Sequence, residues 1–183
     1  MKLPRDWREL IELLCSHRVR FLVVGAHALA VHGRPRATGD LDLLVEPTGA
    51  NARRLGDALT SFGFPALGAE AEAFSSPDKM ATLGREPLRI DIMTSITGVS
   101  FSEAWRGRIR IRIGHRVVGF LGKKQFVKNK TRAGRPKDLL DLALLAEAVG
   151  ERPFAKAKRP LTDVTAPWRR HRTAGPSARH RKT

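Results

Sequence analysis

Cysteine is almost missing from this chain of 183 residues: Cys15 stands alone, so no intrachain disulfide can form. Long apolar runs are missing too. None approaches the roughly 18 residues that a spanning helix needs, which excludes a membrane-spanning protein. The opening stretch MKLPRDWRELIELL has neither the apolar core nor the small-residue cleavage site of a secretory signal, so a cytoplasmic location is expected. There is no internal repeat, no Gly-x-Ser-x-Gly nucleophile motif and no P-loop. Acidic residues are scarce: 18 Asp and Glu face 34 Lys and Arg, a formal net charge of +16 that points to a polyanionic partner.

An apolar fraction of 42% is enough for one ordinary core over most of the length. The charge is unevenly spread. Residues 151–183 hold 10 basic and 2 acidic residues, leaving 24 against 16 for residues 1–150, so each part carries +8 and the shorter one is far denser. That segment also contains Pro153, Pro160, Pro167 and Pro176 and few large apolar residues, a composition that cannot offset its ordering entropy. A folded domain over 1–150 and a disordered basic tail over 151–183, with Arg169 and Arg170 as phosphate-touching residues, is the expected organisation.

Within the domain, residues 5–16 carry apolar residues at helical spacing. Arg20 to Val24 reads as a strand ending at Gly25, followed by a short helix through AHALAVH. GRPRATG is turn chemistry, Asp40 to Val45 a strand, and residues 49–62 a helix. Ala66 to Lys79 has no clear period, and Leu88 to Met93 is strand-like. The run RIRIRI alternates strictly, placing Ile109, Ile111 and Ile113 toward a core and Arg108, Arg110 and Arg112 outward, with GHRVVGFLG as its hairpin partner. Helices over Lys123–Arg132 and Pro136–Val149 close the domain, which makes the fold class α+β.

Three carboxylates stand out. Asp40 and Asp42, two apart on one strand, project to the same face, roughly 6 to 7 Å apart at a rise of about 3.3 Å per residue. Leu41, Leu43 and Leu44 are expected to face mainly the other way or to continue the buried strand. Asp91 interrupts the apolar run LRIDIM, where an unpaired acid costs several kcal/mol unless it meets a cation. Hard oxygen donors on adjacent strands suit Mg²⁺ or Mn²⁺, with substrate phosphates as further ligands. The plainer reading of Asp40 and Asp42 is a solvated turn or an ion pair to Arg34 or Arg36. A Gly-ended strand, a loop with Arg36 and Thr38, and a third acid favour a site for a nucleoside triphosphate. His27 and His32, five apart, do not share a helix face as zinc ligands would; His32 lies near the arginine loop, where it could touch phosphate, but a packed or solvated histidine is the better reading.

Three ordered blocks carry a family resemblance: VVGAHALAVHGRPRATGDLDLLV, LRIDIMTSITGVSFSEAW and KNKTRAGRPKDLLDLALL, together spanning about residues 20 to 148. They resemble the nucleotidyltransferase superfamily that shares its fold with DNA polymerase beta, and within it the small bacterial AbiEii-like toxins. The resemblance implies a mixed central sheet flanked by helices, phosphate contact at Gly25 and Ala26, metal ligation by Asp40, Asp42 and Asp91, and activation of the acceptor hydroxyl by Asp91. It also implies functional roles for Lys130, as a cation for the nucleotide phosphates, and for Asp138. For Asp138 a helix N-terminal acid is an equal reading, and Asp141 is expected to pair with Arg135 or Lys137. Similar proteins carry Gly-Gly or Gly-Ser where this chain has Gly25-Ala26.

The expected activity is metal-dependent transfer of a nucleoside monophosphate from an NTP to an acceptor hydroxyl. The Arg108, Arg110 and Arg112 face, Lys123, Lys124 and the tail favour RNA, for instance tRNA, as acceptor, in a protein acting as the toxin of an antitoxin-controlled pair. A phosphotransferase using the same site and a catalytically degenerate nucleic-acid-binding module are the alternatives.

Overall fold

The computed structural model describes residues 3–147; the tail, the boundary at residue 150, Arg169 and Arg170 lie outside the described residues. Helix α1 (Arg5–Ser16) forms where Trp7, Leu10, Ile11 and Leu14 recur at helical spacing, and all four are buried. It leads through β1 (Phe21–Val23) and α2 (Gly25–Val31) to β2 (Asp40–Val45) and α3 (Gly49–Ser61). The stretch without a clear period becomes a short helix, α4 (Pro65–Ala69), and a 3-10 turn over Ala71–Ser75. An unforeseen edge strand, β3 (Met80–Leu83), precedes β4 (Arg89–Met93), and an unforeseen short helix, α5 (Phe101–Arg106), precedes the hairpin β5 (Ile109–Ile113) and β6 (Arg116–Phe120). Helices α6 (Lys123–Ala133) and α7 (Pro136–Glu147) follow.

The six strands form one mixed sheet in the order β3-β4-β2-β1-β6-β5, flanked by helices, which is the α+β architecture expected. Strand β2 lies antiparallel to β1 and parallel to β4, while β1 pairs in parallel with β6. Leu41, Leu43, Val23, Phe120, Ile90 and Ile92 belong to a core with α1 and α3. Leu22, Leu44, Leu29, Phe101, Phe126 and Leu145 form a second core on the other face, under α2, α5, α6 and α7. Leu44 therefore shares its face with Asp40 and Asp42 and continues the buried strand there, while Leu41 and Leu43 face the other way: strict alternation from Asp40 returns every second residue to the same side. No helix among the described residues is long and apolar enough to cross a membrane.

Candidate active site

Parallel pairing of β2 with β4 sets Asp91 beside Asp42 and Arg89 beside Asp40. One carboxylate oxygen from each of Asp40, Asp42 and Asp91 lies within 4.8 Å of the others. Two of the three acids are anchored. The Thr38 hydroxyl donates to Asp40 Oδ1, and Arg89 Nη2 donates to Asp40 Oδ2 at 2.7 Å. Thr82 Oγ1 donates to Asp91 Oδ1 at 2.7 Å, and Arg89 Nε lies 3.2 Å from Asp91 Oδ2. Burial raises the Asp40 carboxyl, but the Thr38 hydrogen bond, with Lys137 and Arg89, outweighs it and holds the group below the usual carboxylate range.

Asp42 is different: burial first, then the charges of Asp40 and Asp91, push it up to about 6, only partly offset by Lys130 and Lys137. Like charges crowded into a half-buried site favour a proton on one of them unless a cation arrives. Three convergent oxygen donors with that charge imbalance fit a hard divalent ion such as Mg²⁺ or Mn²⁺.

Gly25 faces Asp42. Its φ is +60°, and a Cβ there would fall 1.9 Å from Asp42 Oδ2. Glycine is required both by the left-handed backbone and by the approach of the carboxylate. Ala26 sits one step into α2 and is buried, so the left-handed position falls on the glycine and not on the alanine. Gly25→Ala should cost about 1–2 kcal/mol in backbone strain alone and should also turn Asp42 away. Urea unfolding read beside a Mn²⁺ titration checks this; unchanged metal affinity would detach Gly25 from the site.

The carboxylates open on a cleft of about 630 Å³, within the usual range for small-molecule sites, whose walls include Gly25, Met80, Thr97, Lys130, Arg132 and Lys137. Part of its wall is a charge cluster with a buried centre. Lys130 Nζ donates to Asp138 Oδ1 at 2.7 Å and lies 2.9 Å from Asp141 Oδ2. Arg135 Nε donates to Asp138 Oδ2 and Arg36 Nε to Asp141 Oδ1, each at 2.7 Å. Asp138 and Asp141 are both fully buried.

These contacts correct several expectations. Asp141 pairs with Arg36 and Lys130, not with Arg135 or Lys137, because Arg36 from the loop before β2 and Lys130 from α6 reach its buried carboxylate. Asp138 is no mere helix-end acid. Burial would raise its carboxyl, but hydrogen bonds from Arg135 and Lys130 bring it down to about 2. The Lys130 ammonium, expected to serve phosphates, is held between two carboxylates, and Arg36 is likewise committed to Asp141. Thr38 is turned toward Asp40. The ion-pair partner of Asp40 is Arg89, not Arg34 or Arg36.

Arg89 and Thr82 escaped sequence reasoning. Arg89 had a readable signal: two residues before Asp91 on a strand, it must share that acid's face. Thr82 had none, since it depends on the register of an edge strand that the sequence did not announce.

The basic residues divide. Arg110 and Arg112 are exposed on the sheet face that also bears the carboxylates, but three strands from β2, or about 14 Å at the usual interstrand spacing. Arg108 stacks at 4.0 Å over Trp105, so it packs instead of standing free with them. Lys123 and Lys124 are exposed in the first turn of α6. His27 packs edge-on against Trp7, and the His32 ring bonds the Leu121 carbonyl at 2.9 Å, in keeping with packed histidines.

No family model matches the chain, and no curated protein matches it. Five chains of solved structure do match. One is the crystal structure of a "putative nucleotidyltransferase" from Thermotoga maritima, 15% identical, covering 80% of this chain and 88% of that one with a TM-score of 0.44.

Proposed function

We propose that the protein is a metal-dependent nucleotidyltransferase that moves a nucleoside monophosphate from an NTP to an acceptor hydroxyl, most readily on RNA such as tRNA. The convergence of Asp40, Asp42 and Asp91 within 4.8 Å at the mouth of a cleft carries the reading. Asp40, Asp42 and Asp91 would hold Mg²⁺ or Mn²⁺, which would supply Lewis-acid charge to the triphosphate. Asp91 accepts the proton of the acceptor hydroxyl as its oxygen bonds to the α-phosphorus in line and the bond to pyrophosphate breaks. Arg132 and Lys137 line the cleft, and neither forms an ion pair with a carboxylate among the described residues. They meet the phosphate charge that Lys130, already neutralised, does not.

RNA is favoured as acceptor by the +16 charge and by exposed Arg110, Arg112, Lys123 and Lys124. The same surface suits an acidic protein whose binding would block transfer, the arrangement of a toxin and its antitoxin. The test is incubation with total tRNA, Mg²⁺ and each α-labelled NTP, beside the Asp42→Asn protein. Label entering RNA with wild type alone is expected. Label that enters only from γ-labelled NTP would replace nucleotidyl by phosphoryl transfer, and RNA binding without nucleotide binding would indicate a degenerate module. Truncation after Gly150 should weaken tRNA binding and flatten its dependence on log salt, because fewer phosphates are neutralised. An unchanged slope would make Arg169 and Arg170 bystanders.

A further inference from the structure

Arg89 holds an unusual place among the three carboxylates. Its Nη2 is 2.7 Å from Asp40 Oδ2, its Nε is 3.2 Å from Asp91 Oδ2, and its Nη1 is 3.1 Å from Glu86 Oε1. The guanidinium thus spans the two outer acids and leaves Asp42 to Gly25 and the cleft. The Nε is buried yet makes no aligned hydrogen bond, so charge and not donor geometry keeps it beside Asp91. The side chain is about one third exposed at 32%, and its position is set by the parallel register that pairs Arg89 with Asp40. A residue two before a metal-site acid on the same strand has nowhere else to point.

We propose that Arg89 is a fixed internal cation of the cluster, standing where a second divalent ion would otherwise be held, so that the nucleotide-free protein takes up one divalent ion and not two. This rests on the metal-site reading above and adds the stoichiometry. Asp40, Asp42 and Asp91 carry −3, or −4 with the exposed Glu86; the guanidinium and one divalent ion supply +3 and nearly neutralise them, whereas a second divalent ion would leave a net positive charge in a half-buried site. Arg89 is in this sense a positioning residue: it bridges Asp40 and Asp91, which with Asp42 would hold the single ion.

The test is Mn²⁺ binding without nucleotide, followed by electron paramagnetic resonance, in wild type, Arg89→Met and Arg89→Lys. Circular dichroism and thermal unfolding in chelator verify folding. One ion bound by wild type, two by Arg89→Met and one by Arg89→Lys is the expected set, since lysine restores the charge without the fork. Arg89→Met should also unfold at lower temperature in chelator, having lost the cation that, among the described residues, forms ion pairs with both acids. Equal stoichiometry and affinity in wild type and Arg89→Met would overturn the role of Arg89 while leaving the metal site standing. Absence of Mn²⁺ binding in all three folded proteins would overturn the metal site itself, and with it this inference. Should Arg89→Met fail to fold, Arg89→Gln takes its place in the same titration, with the same outcomes deciding.

Discussion

Asp42→Asn should reduce transfer by at least about a thousandfold and, in chelator, should make the protein more stable near neutral pH. The first effect follows from removing one of three convergent oxygen donors, because metal stabilisation is worth several kcal/mol and each 1.36 kcal/mol is tenfold in rate. The second follows from the site's electrostatics. Asp42 sits half-buried beside two other acids and is raised from 3.8 to about 6. A raised carboxyl binds protons in the folded state that the unfolded chain has released, so metal-free stability falls as pH climbs from about 4 to 6. The loss is about 3 kcal/mol at roughly 1.4 kcal/mol per pH unit, and asparagine avoids it. Asp138 acts in the opposite direction in a lower window: depressed to about 2, it stabilises above about pH 4 and loses that contribution as pH falls toward 2. The Asp42 contribution should therefore appear in wild type as a fall in stability between about pH 4 and 6, set against the opposite contribution of His27, which burial holds below its usual value, and should be absent in Asp42→Asn. Urea unfolding across pH 3 to 7 checks it; a variant no more stable than wild type at pH 7 would contradict the crowded-carboxylate account.

Lys130→Met should be the most destabilising single change near the cleft, by about 3–5 kcal/mol, because it leaves two buried carboxylates short of a countercharge. For a protein of this length that is a fall of about 10 °C in Tm. Lys130 is 6% exposed, and its ammonium lies 2.7 Å from Asp138 Oδ1 and 2.9 Å from Asp141 Oδ2. Adding Asp141→Asn should recover part of the loss by removing one stranded charge, although Arg36 then loses its partner. Calorimetric scans of the two singles and the double isolate the coupling. A Lys130→Met protein as stable as wild type but unable to bind NTP would return Lys130 to the phosphate role suggested by its sequence block.

The strands around the site were legible because the patterns are strong: RIRIRI can bury only one face, and DLDLLV fixes Asp40 and Asp42 on one side. The third acid was legible because LRIDIM leaves Asp91 no ordinary reason to be there. What escaped was relational. Arg89 matters through a parallel register with β2, which no single segment contains. Strand β3 has the burial pattern of an edge, with Met80 exposed and Leu83 buried, so its apolar signal is thin. Lys130, Asp138 and Asp141 were each singled out in one sequence block but with separate roles, because their mutual neutralisation depends on how α6 and α7 pack. Arg36 reaches Asp141 across 105 positions in sequence. Arg108 continues the arginine alternation, yet α5 supplies Trp105 beneath it.

The most direct measurement is a calorimetric titration of Mg²⁺ with a non-hydrolysable NTP analogue into wild type and Asp42→Asn. Saturable binding in wild type that requires Mg²⁺, with at least about tenfold weaker binding in a folded Asp42→Asn, is what three carboxylates holding a metal-triphosphate predict. Equal binding in the two proteins, or none in wild type, would contradict it.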